Sequence, residues 1–347
     1  MDPLTEAQNK LVPEMTDLLK KRYQILQAIQ REQPIGRRAL SELAGMKERD
    51  IRNETDLLRS QQLIKAKTAG MVVTDQGAAV LEALKEFMRE VSGLSHMEQQ
   101  LKSILGIARV HIVPQDSDDM PAVKGDIGKE AARLLESRFA QHKIVAVTGG
   151  STMAAISKEL STDRKDNALQ FVAARGGLGE DVLHQANTIA SAFAAKTGGS
   201  VKTLYLPDHL SAEAFEMMLR EPVIKDMMDH YDRTDIVVHG IGNAEEIALQ
   251  RKSSSEEVEH IRSGGAVSEA FGYYFNAQGE VVYRIRTAGI QLEQVKNAAF
   301  ILAVAGGHSK AQAILSYCKI AAKGTVLVTD EGAARQIIEL TQKLEEL

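Results

Sequence analysis

Apolar positions along the chain change their period twice, and the changes divide it into segments. In LVPEMTDLLKKRYQILQAIQ, residues Leu18, Leu19, Tyr23, Leu26 and Ile29 fall at helical spacing until Pro34 and Gly36 interrupt it. The short segment RRALSELAG ends at Gly45. KERDIRNETDLLRSQQLI then sets Ile51, Leu57, Leu58 and Ile64 on one face, which predicts a helix from Lys47 to Leu63. IKAKTAGMVVTDQG alternates around Ala69–Gly70 as two short strands and a tight turn. Three helices followed by a hairpin predict a winged helix-turn-helix domain over residues 1–90. A further stripe, Val80, Leu84, Phe87, Val91, Leu94, Met97, Leu101 and Leu105, predicts a long helix whose 91–108 portion connects and dimerises. Packing within a single domain is its plainer alternative.

From Arg109 to the end, short apolar runs alternate with helical patterns. The runs RVHIVP, KIVAVT, LQFVAA, VKTLYL, DIVVHG, AAFILAVA and TVLVT predict an α/β, doubly wound, Rossmann-like parallel sheet over residues 109–347. The length of 347 residues agrees with two domains. Apolar residues at 44% and charged residues at 26% describe a globular chain with a sizeable core. A single cysteine, Cys318, excludes an intrachain disulfide and a thiolate zinc cluster, and fits the reducing cytoplasm. No apolar run is long enough for a membrane span, and MDPLTEAQNK is not patterned as a signal peptide. A cytoplasmic protein with no membrane partner, no cofactor and no metal site is therefore expected.

The net charge of -5 conceals an asymmetry. Residues 20–70 carry twelve basic against six acidic side chains, so a basic module precedes an acidic body. Lys47, Arg49, Arg52, Asn53, Thr55 and Arg59 are expected on the outer face of the third helix, with Lys65 and Lys67 on the hairpin and Arg37 and Arg38 before it. Such side chains reach base edges and phosphates, so operator DNA is the expected partner. A solvated helical bundle is the bland reading.

Within the body, VTGGSTM, ARGGLGED, HGIGNAEE and AGGHSKAQ each lead from a strand through glycines into a helix, which places backbone N–H groups at the sheet's carboxyl edge. None has the spacing of a dinucleotide or nucleoside triphosphate motif. The TGGST turn suits a phosphate, with Ser151 as an ordinary N-cap the alternative. Arg175 and Lys310 follow two other strands, and the cationic groups together suit a ligand with two anionic ends.

The blocks VTGGSTMAAI, ARGGLGEDVLHQANTIAS, HGIGNA, EAFGYYFNAQGEVV and AGGHSKAQAI resemble the SorC family of sugar-responsive bacterial transcription regulators. The resemblance covers essentially the whole chain. It implies a sugar-phosphate isomerase-like effector domain and assembly of dimers into a tetramer on DNA. It also implies repression of a glycolytic operon, relieved by fructose 1,6-bisphosphate. It implies that Gly149, Gly150, Ser151 and Thr152 hold one phosphate together with Arg175 and Lys310, and that Gln185 and Glu269 hold sugar hydroxyls. A residue of LQRKSS would meet the other phosphate: Arg251, or Gln250 or Lys252 if the register slips. Two other classes compete. A sugar-phosphate isomerase or deaminase would need an acid/base group among Asp208, His209, His239, Glu269 and His308, and a constitutive DNA-binding scaffold would need no ligand.

Overall fold

The computed structural model describes residues 11–161, 168–176, 181–206 and 212–345. The chain divides into two compact units between His96 and Met97.

The first unit holds helices α1 (Pro13–Glu32), α2 (Arg37–Ala44) and α3 (Glu48–Ser60), strands β1 (Ile64–Lys67) and β2 (Gly70–Val73), and helix α4 (Asp75–Val91). Pro13 begins α1, where its missing N–H costs nothing. Gly45, in the left-handed region at φ 62°, ends α2, its N–H returned to the Glu42 carbonyl and that of Met46 to the Ser41 carbonyl. Ile25, Ile29, Leu40, Ile51, Leu58 and Ile64 form the core, each contributing roughly 1.5–3 kcal/mol by leaving water. The third helix stops at Ser60, short of the expected Leu63, because Gln62 turns to φ 61° and the chain enters β1. The hairpin turn is Thr68–Ala69, since Lys67 pairs with Gly70; Gly70 opens the second strand. Ile35 pairs with Met71 through two backbone hydrogen bonds of 3.1 and 2.8 Å, a single antiparallel bridge beside the two-stranded wing.

The long helix predicted across residues 75–108 is two helices. Gly93 takes φ 75° after α4, and α5 (Leu94–Leu105) starts anew. Val91, Leu94, Leu101 and Leu105 are buried within the single chain, so that half of the expected dimer stripe is spent in the chain's own packing.

The second unit is built on seven strands: β3 (Arg109–Val113), β4 (Ile144–Val147), β5 (Gln170–Ala173), β6 (Ser200–Lys202), β7 (Ile236–Gly240) and, after four strands of another sheet, β12 (Phe300–Val304) and β13 (Val326–Asp330). Their order is β3-β13-β12-β7-β4-β5-β6, and every neighbouring pair is parallel. Helices α6 (Val123–Glu136), α7 (Ser151–Glu159) and α8 (Ala186–Thr197) pack with Val145, Val147, Phe171, Val238, Leu302 and Val328 on one face. Val237, Ile301, Ala303 and Leu327, pointing to the other face, are equally buried, as a sheet covered on both sides requires. From β4 the chain winds outward through β5 and β6, then returns on the other side of β4 to β7, β12 and β13. The topological switch point therefore lies between β4 and β7, the place in such sheets where ligands bind at the strands' carboxyl ends.

Helices α9 (Ala212–Met218) and α10 (Pro222–Asp232) precede β7. An antiparallel sheet interrupts the winding: β8 (Gly242–Asn243), β9 (Ala266–Ala270), β10 (Tyr273–Asn276) and β11 (Val281–Arg284), in the order β11-β10-β9-β8. Helices α11 (Ala244–Gln250) and α12 (Ser255–Ser263) cover it through Ala248, Ile261, Tyr274 and Ile285. The short α13 (Leu292–Asn297) leads to β12, and α14 (Ala311–Cys318) and α15 (Glu331–Glu345) complete the chain's described helices. Among the described residues, no helix is long and apolar enough to cross a membrane.

Candidate functional site

Three glycine turns meet at the switch point. After β4, Thr148 accepts the Gly240 N–H at 3.3 Å through its hydroxyl and so ties the turn after β4 to that after β7. Gly149 lies against the segment ahead of α8, where an added Cβ would come within 2.6 Å of the His184 carbonyl oxygen, and the Gly150 N–H bonds that same oxygen at 2.8 Å. Gly150 is the N-cap of α7, with φ 122°. Ser151 is thus the first helical residue, not the N-cap, and its side chain caps nothing. The N–H groups of Ser151, Thr152 and Met153 have no acceptor among the described residues. Gln185, the N-cap residue of α8, stands beside this turn and lines a pocket of about 460 Å³ with Val182, Thr188 and Tyr205.

The turn after β12 has the same glycine pattern and a different state. Its consecutive N–H groups are taken by carboxylates: Gly307 donates to Asp330 at 2.7 Å, His308 to Asp116 at 3.4 Å and Ser309 to Asp118 at 2.9 Å. Asp330, fully buried at the end of β13, also accepts the Ser117 and Ala333 N–H groups, each at 2.9 Å. Burial pushes Asp118 up, but the Ser309 N–H and the charges of His308 and Lys310 outweigh it and hold the carboxyl below its ordinary range. Lys310 closes the turn and forms an ion pair with Glu246 of α11.

Deeper in, two guanidinium groups converge on one carboxylate. Glu269 Oε1 accepts from Arg251 at 2.6 Å, from Arg175 at 3.2 Å and from the Gly272 N–H at 2.6 Å. Burial alone would raise Glu269; the charges of Arg251 and Arg175 and the Gly272 N–H more than offset it and keep the carboxyl below 4.5. Glu269 is in strand β9, which delivers it to Arg175 from the turn after β5 and to Arg251 at the end of α11. Arg251 also lies over the Tyr274 ring, 5.7 Å from its centroid. The three possibilities in LQRKSS are separated: Arg251 is interior, while Gln250 and Lys252 are exposed. The structure thus brings Arg175, Arg251 and Glu269 into contact, sets Gly149–Thr152 beside Gln185, and joins Lys310 to Glu246.

The histidines among the described acid/base candidates are not poised for chemistry. His239 is fully buried; its Nδ1 lies 3.0 Å from the Gly240 carbonyl and its Nε2 3.1 Å from the Tyr317 hydroxyl, and burial pushes it down to about 4. His308 is exposed and held 2.8 Å from Asp116, which raises it. Asp208 and His209 lie outside the described residues.

On the basic module, Arg38, Lys47, Arg49, Arg52, Asn53, Arg59, Lys65 and Lys67 are exposed. Arg37 and Arg59 both pair with Asp56, at 3.0 and 3.1 Å, and Arg38 pairs with Glu42. Among the described residues, Lys47, Arg49, Arg52, Lys65 and Lys67 have no carboxylate within ion-pair reach. Thr55 corrects the expectation: it is buried, with its hydroxyl bonded to the Arg52 carbonyl at 3.1 Å, and cannot reach DNA. Its neighbour Glu54 also turns inward. It pins α3 to α1 by accepting from Arg22 at 2.8 Å and Lys21 at 3.0 Å.

Asp116, Asp118, Asp330 and Glu246 were missed by sequence reasoning. The signals available were the acidic loop QDSDD after the first strand and TDEG, a strand ending in an aspartate that begins a helix.

A basic winged module, followed by a parallel-sheet unit with glycine turns and buried arginines at its carboxyl edge, has the make-up of a regulator with a DNA reader and a small-molecule domain. The chain belongs to the SorC family of sugar-binding transcription regulators and is not an enzyme: residues 89–339 match the sugar-binding domain family, and residues 18–88 match the CggR N-terminal DNA-binding domain. Among its relatives is the central glycolytic genes regulator of Priestia megaterium, 45% identical over 97% of this chain and 99% of that one. Its counterpart in Bacillus subtilis is 43% identical over 97% and 99%. A SorC family transcriptional regulator from Enterococcus faecalis superposes with a TM-score of 0.66 and 38% identity over 70% of this chain and 99% of that one. The full-length sorbitol operon regulator SorC from Klebsiella pneumoniae shares the fold, with a TM-score of 0.63 and 15% identity over 88% of this chain and 94% of that one.

Proposed function

We propose that this protein is a cytoplasmic repressor of glycolytic genes whose hold on operator DNA is relieved by fructose 1,6-bisphosphate. The observation that carries the reading is the start of α7, where three N–H groups without an acceptor among the described residues follow Gly149 and Gly150 at the switch point. A helix N-terminus of this kind favours a phosphate, and the hydroxyls of Ser151 and Thr152 add donors. In this reading Arg175 and Lys310 add charge beside that phosphate, Arg251 meets the other, and Gln185 and Glu269 are the groups for sugar hydroxyls. The relatives named as regulators of central glycolytic genes support the pathway.

In this reading α3 enters the major groove with Arg52 and Asn53 at base edges, while Lys65 and Lys67 rest on phosphates. The effector site is far from those side chains in sequence, so the signal passes through the arrangement of dimers within a tetramer. Operator titrations with and without fructose 1,6-bisphosphate test it, using wild type, Thr152→Val and Lys310→Ala. Wild type is expected to lose roughly 5- to 150-fold in operator affinity, the usual span of allosteric coupling. The variants should bind operator as wild type does and respond weakly to the sugar. Variants that respond as wild type does, or conversion of the sugar by the protein, would overturn the reading.

A further inference from the structure

Two turns of this sheet carry the same sequence device, two glycines leading into a helix at the carboxyl end of a strand, and only one of them is open. In the turn after β4 the N–H groups of Ser151, Thr152 and Met153 have no acceptor among the described residues. In the turn after β12 every N–H from Gly307 to Ser309 is already bonded to an aspartate of the same chain. Successive backbone N–H groups in a turn of this kind suit an anion. Here that place is filled from within.

We propose that Asp116, Asp118 and Asp330 are positioning residues of the effector site, acting as an internal anion that fixes the Gly307–Ser309 turn and, through it, Lys310. The three carboxylates come from two different segments. Asp116 and Asp118 belong to the loop after β3, and Asp330 ends β13, so the turn is gripped from its neighbour β13 and from β3 beyond it. Asp330 is fully buried and accepts three N–H groups, from Gly307, from Ser117 of that same loop and from Ala333 in the first turn of α15. It therefore locks both loops to the rigid sheet. The grip is close: a Cβ on Gly307 would come within 2.5 Å of the Asp118 carboxylate. Asp116 adds a second hold on the turn through His308 Nδ1 at 2.8 Å.

Lys310 gains most from this arrangement. Its side chain has long rotatable reach, and a lysine contributes to ligand binding only as far as its backbone anchor is already ordered. The carboxylates supply that order before any ligand arrives. They also occupy the Gly307, His308 and Ser309 N–H groups that a phosphate would otherwise take, so the ammonium group is the main donor this strand offers the site.

The inference rests on the reading that Lys310 faces the effector, and a double-mutant cycle separates the two. Dissociation constants for fructose 1,6-bisphosphate are measured by calorimetry on the full chain for wild type, Asp118→Ala, Lys310→Ala and the double variant. Lys310→Ala should weaken binding by about tenfold or more, as loss of a charge-assisted contact does. Asp118→Ala should weaken it by several-fold on its own, yet add less than twofold in the Lys310→Ala background. Asp118→Asn, which keeps the acceptor and removes the charge, should restore part of the loss. If the two single effects multiply, or if Asp118→Ala binds as wild type while Lys310→Ala does not, the positioning role is wrong and the site stands. If Lys310→Ala itself binds as wild type, Lys310 lies outside the effector site, and both the reading and the inference fall. A general loss of folding would lower the apo melting temperature and effector affinity equally in both backgrounds, which the cycle reports as multiplication.

Discussion

Replacing Glu269 with glutamine keeps the volume of the side chain and removes the charge on which two buried guanidinium groups depend. The carboxylate oxygen accepts from Arg251 at 2.6 Å and Arg175 at 3.2 Å, and both arginine side chains are at most 5% exposed. Screening by water is therefore slight. A hydrogen bond to a charged group contributes about 1.5–3 kcal/mol, so loss of the charge across two of them costs roughly 3–6 kcal/mol. That range meets the roughly 3–5 kcal/mol measured when one partner of a buried pair is removed. For a unit of this size about 2–4 °C of melting temperature accompanies each kcal/mol, so Glu269→Gln should melt roughly 6–20 °C below wild type at pH 7. Calorimetry across pH adds a second constraint. The folded carboxyl lies below its ordinary value of 4.5, so its stabilisation is complete above that pH and is lost as pH falls through the folded value. The gap between variant and wild type should accordingly be widest near neutrality and shrink in acid. A variant melting within 2 °C of wild type at pH 7 would refute the argument that Glu269 holds the arginines in place.

Two further outcomes can be measured directly. His239 is held neutral with its folded value near 4 against an ordinary 6.5, so it contributes stability that is full above pH 6.5 and lost as pH falls toward 4; in urea melts, His239→Gln should flatten that part of the profile, and an unchanged slope would show that His239 does not report there. On the DNA reader, Lys67→Ala should weaken binding to all sequences alike and reduce the log-log salt slope by about one, whereas Arg52→Ala should change which sequences are preferred, as competition titrations will show.

Much of the second unit was legible because a parallel sheet buried on both faces writes its central strands as apolar runs, and all seven runs contributed a strand to the sheet, the edge strands β3 and β6 being partly exposed. The antiparallel sheet that delivers Glu269 was not. Its tight turn is Phe271–Gly272, with Phe271 at φ 57°, and a phenylalanine in that conformation gives no turn signal of the kind asparagine or aspartate would. Thr55 was misread because helix phase was judged from the apolar residues alone, while Glu54, drawn in by Lys21 and Arg22, widens the buried face of α3 toward its neighbour. At the two glycine turns the local pattern is the same, and what distinguishes them is a set of aspartates about 190 and 20 residues away. Spacing within a motif cannot carry that information.

The pairing of β3 with β13 has a consequence for the order in which the protein comes into being. Among the described residues, strand Arg109–Val113 has Val326–Asp330 as its only neighbour in the sheet, so it emerges early in synthesis and waits for a partner made more than two hundred residues later. Asp330 arrives with that same late strand. A growing chain thus owns its complete basic module, helices α1 to α3 and the wing, long before the strand that seals the sheet and grips the turn of Lys310 exists. A chain stalled or clipped ahead of Val326 would carry a DNA reader with no working sensor, and its first strand would expose an unpaired edge open to aggregation or to quality control.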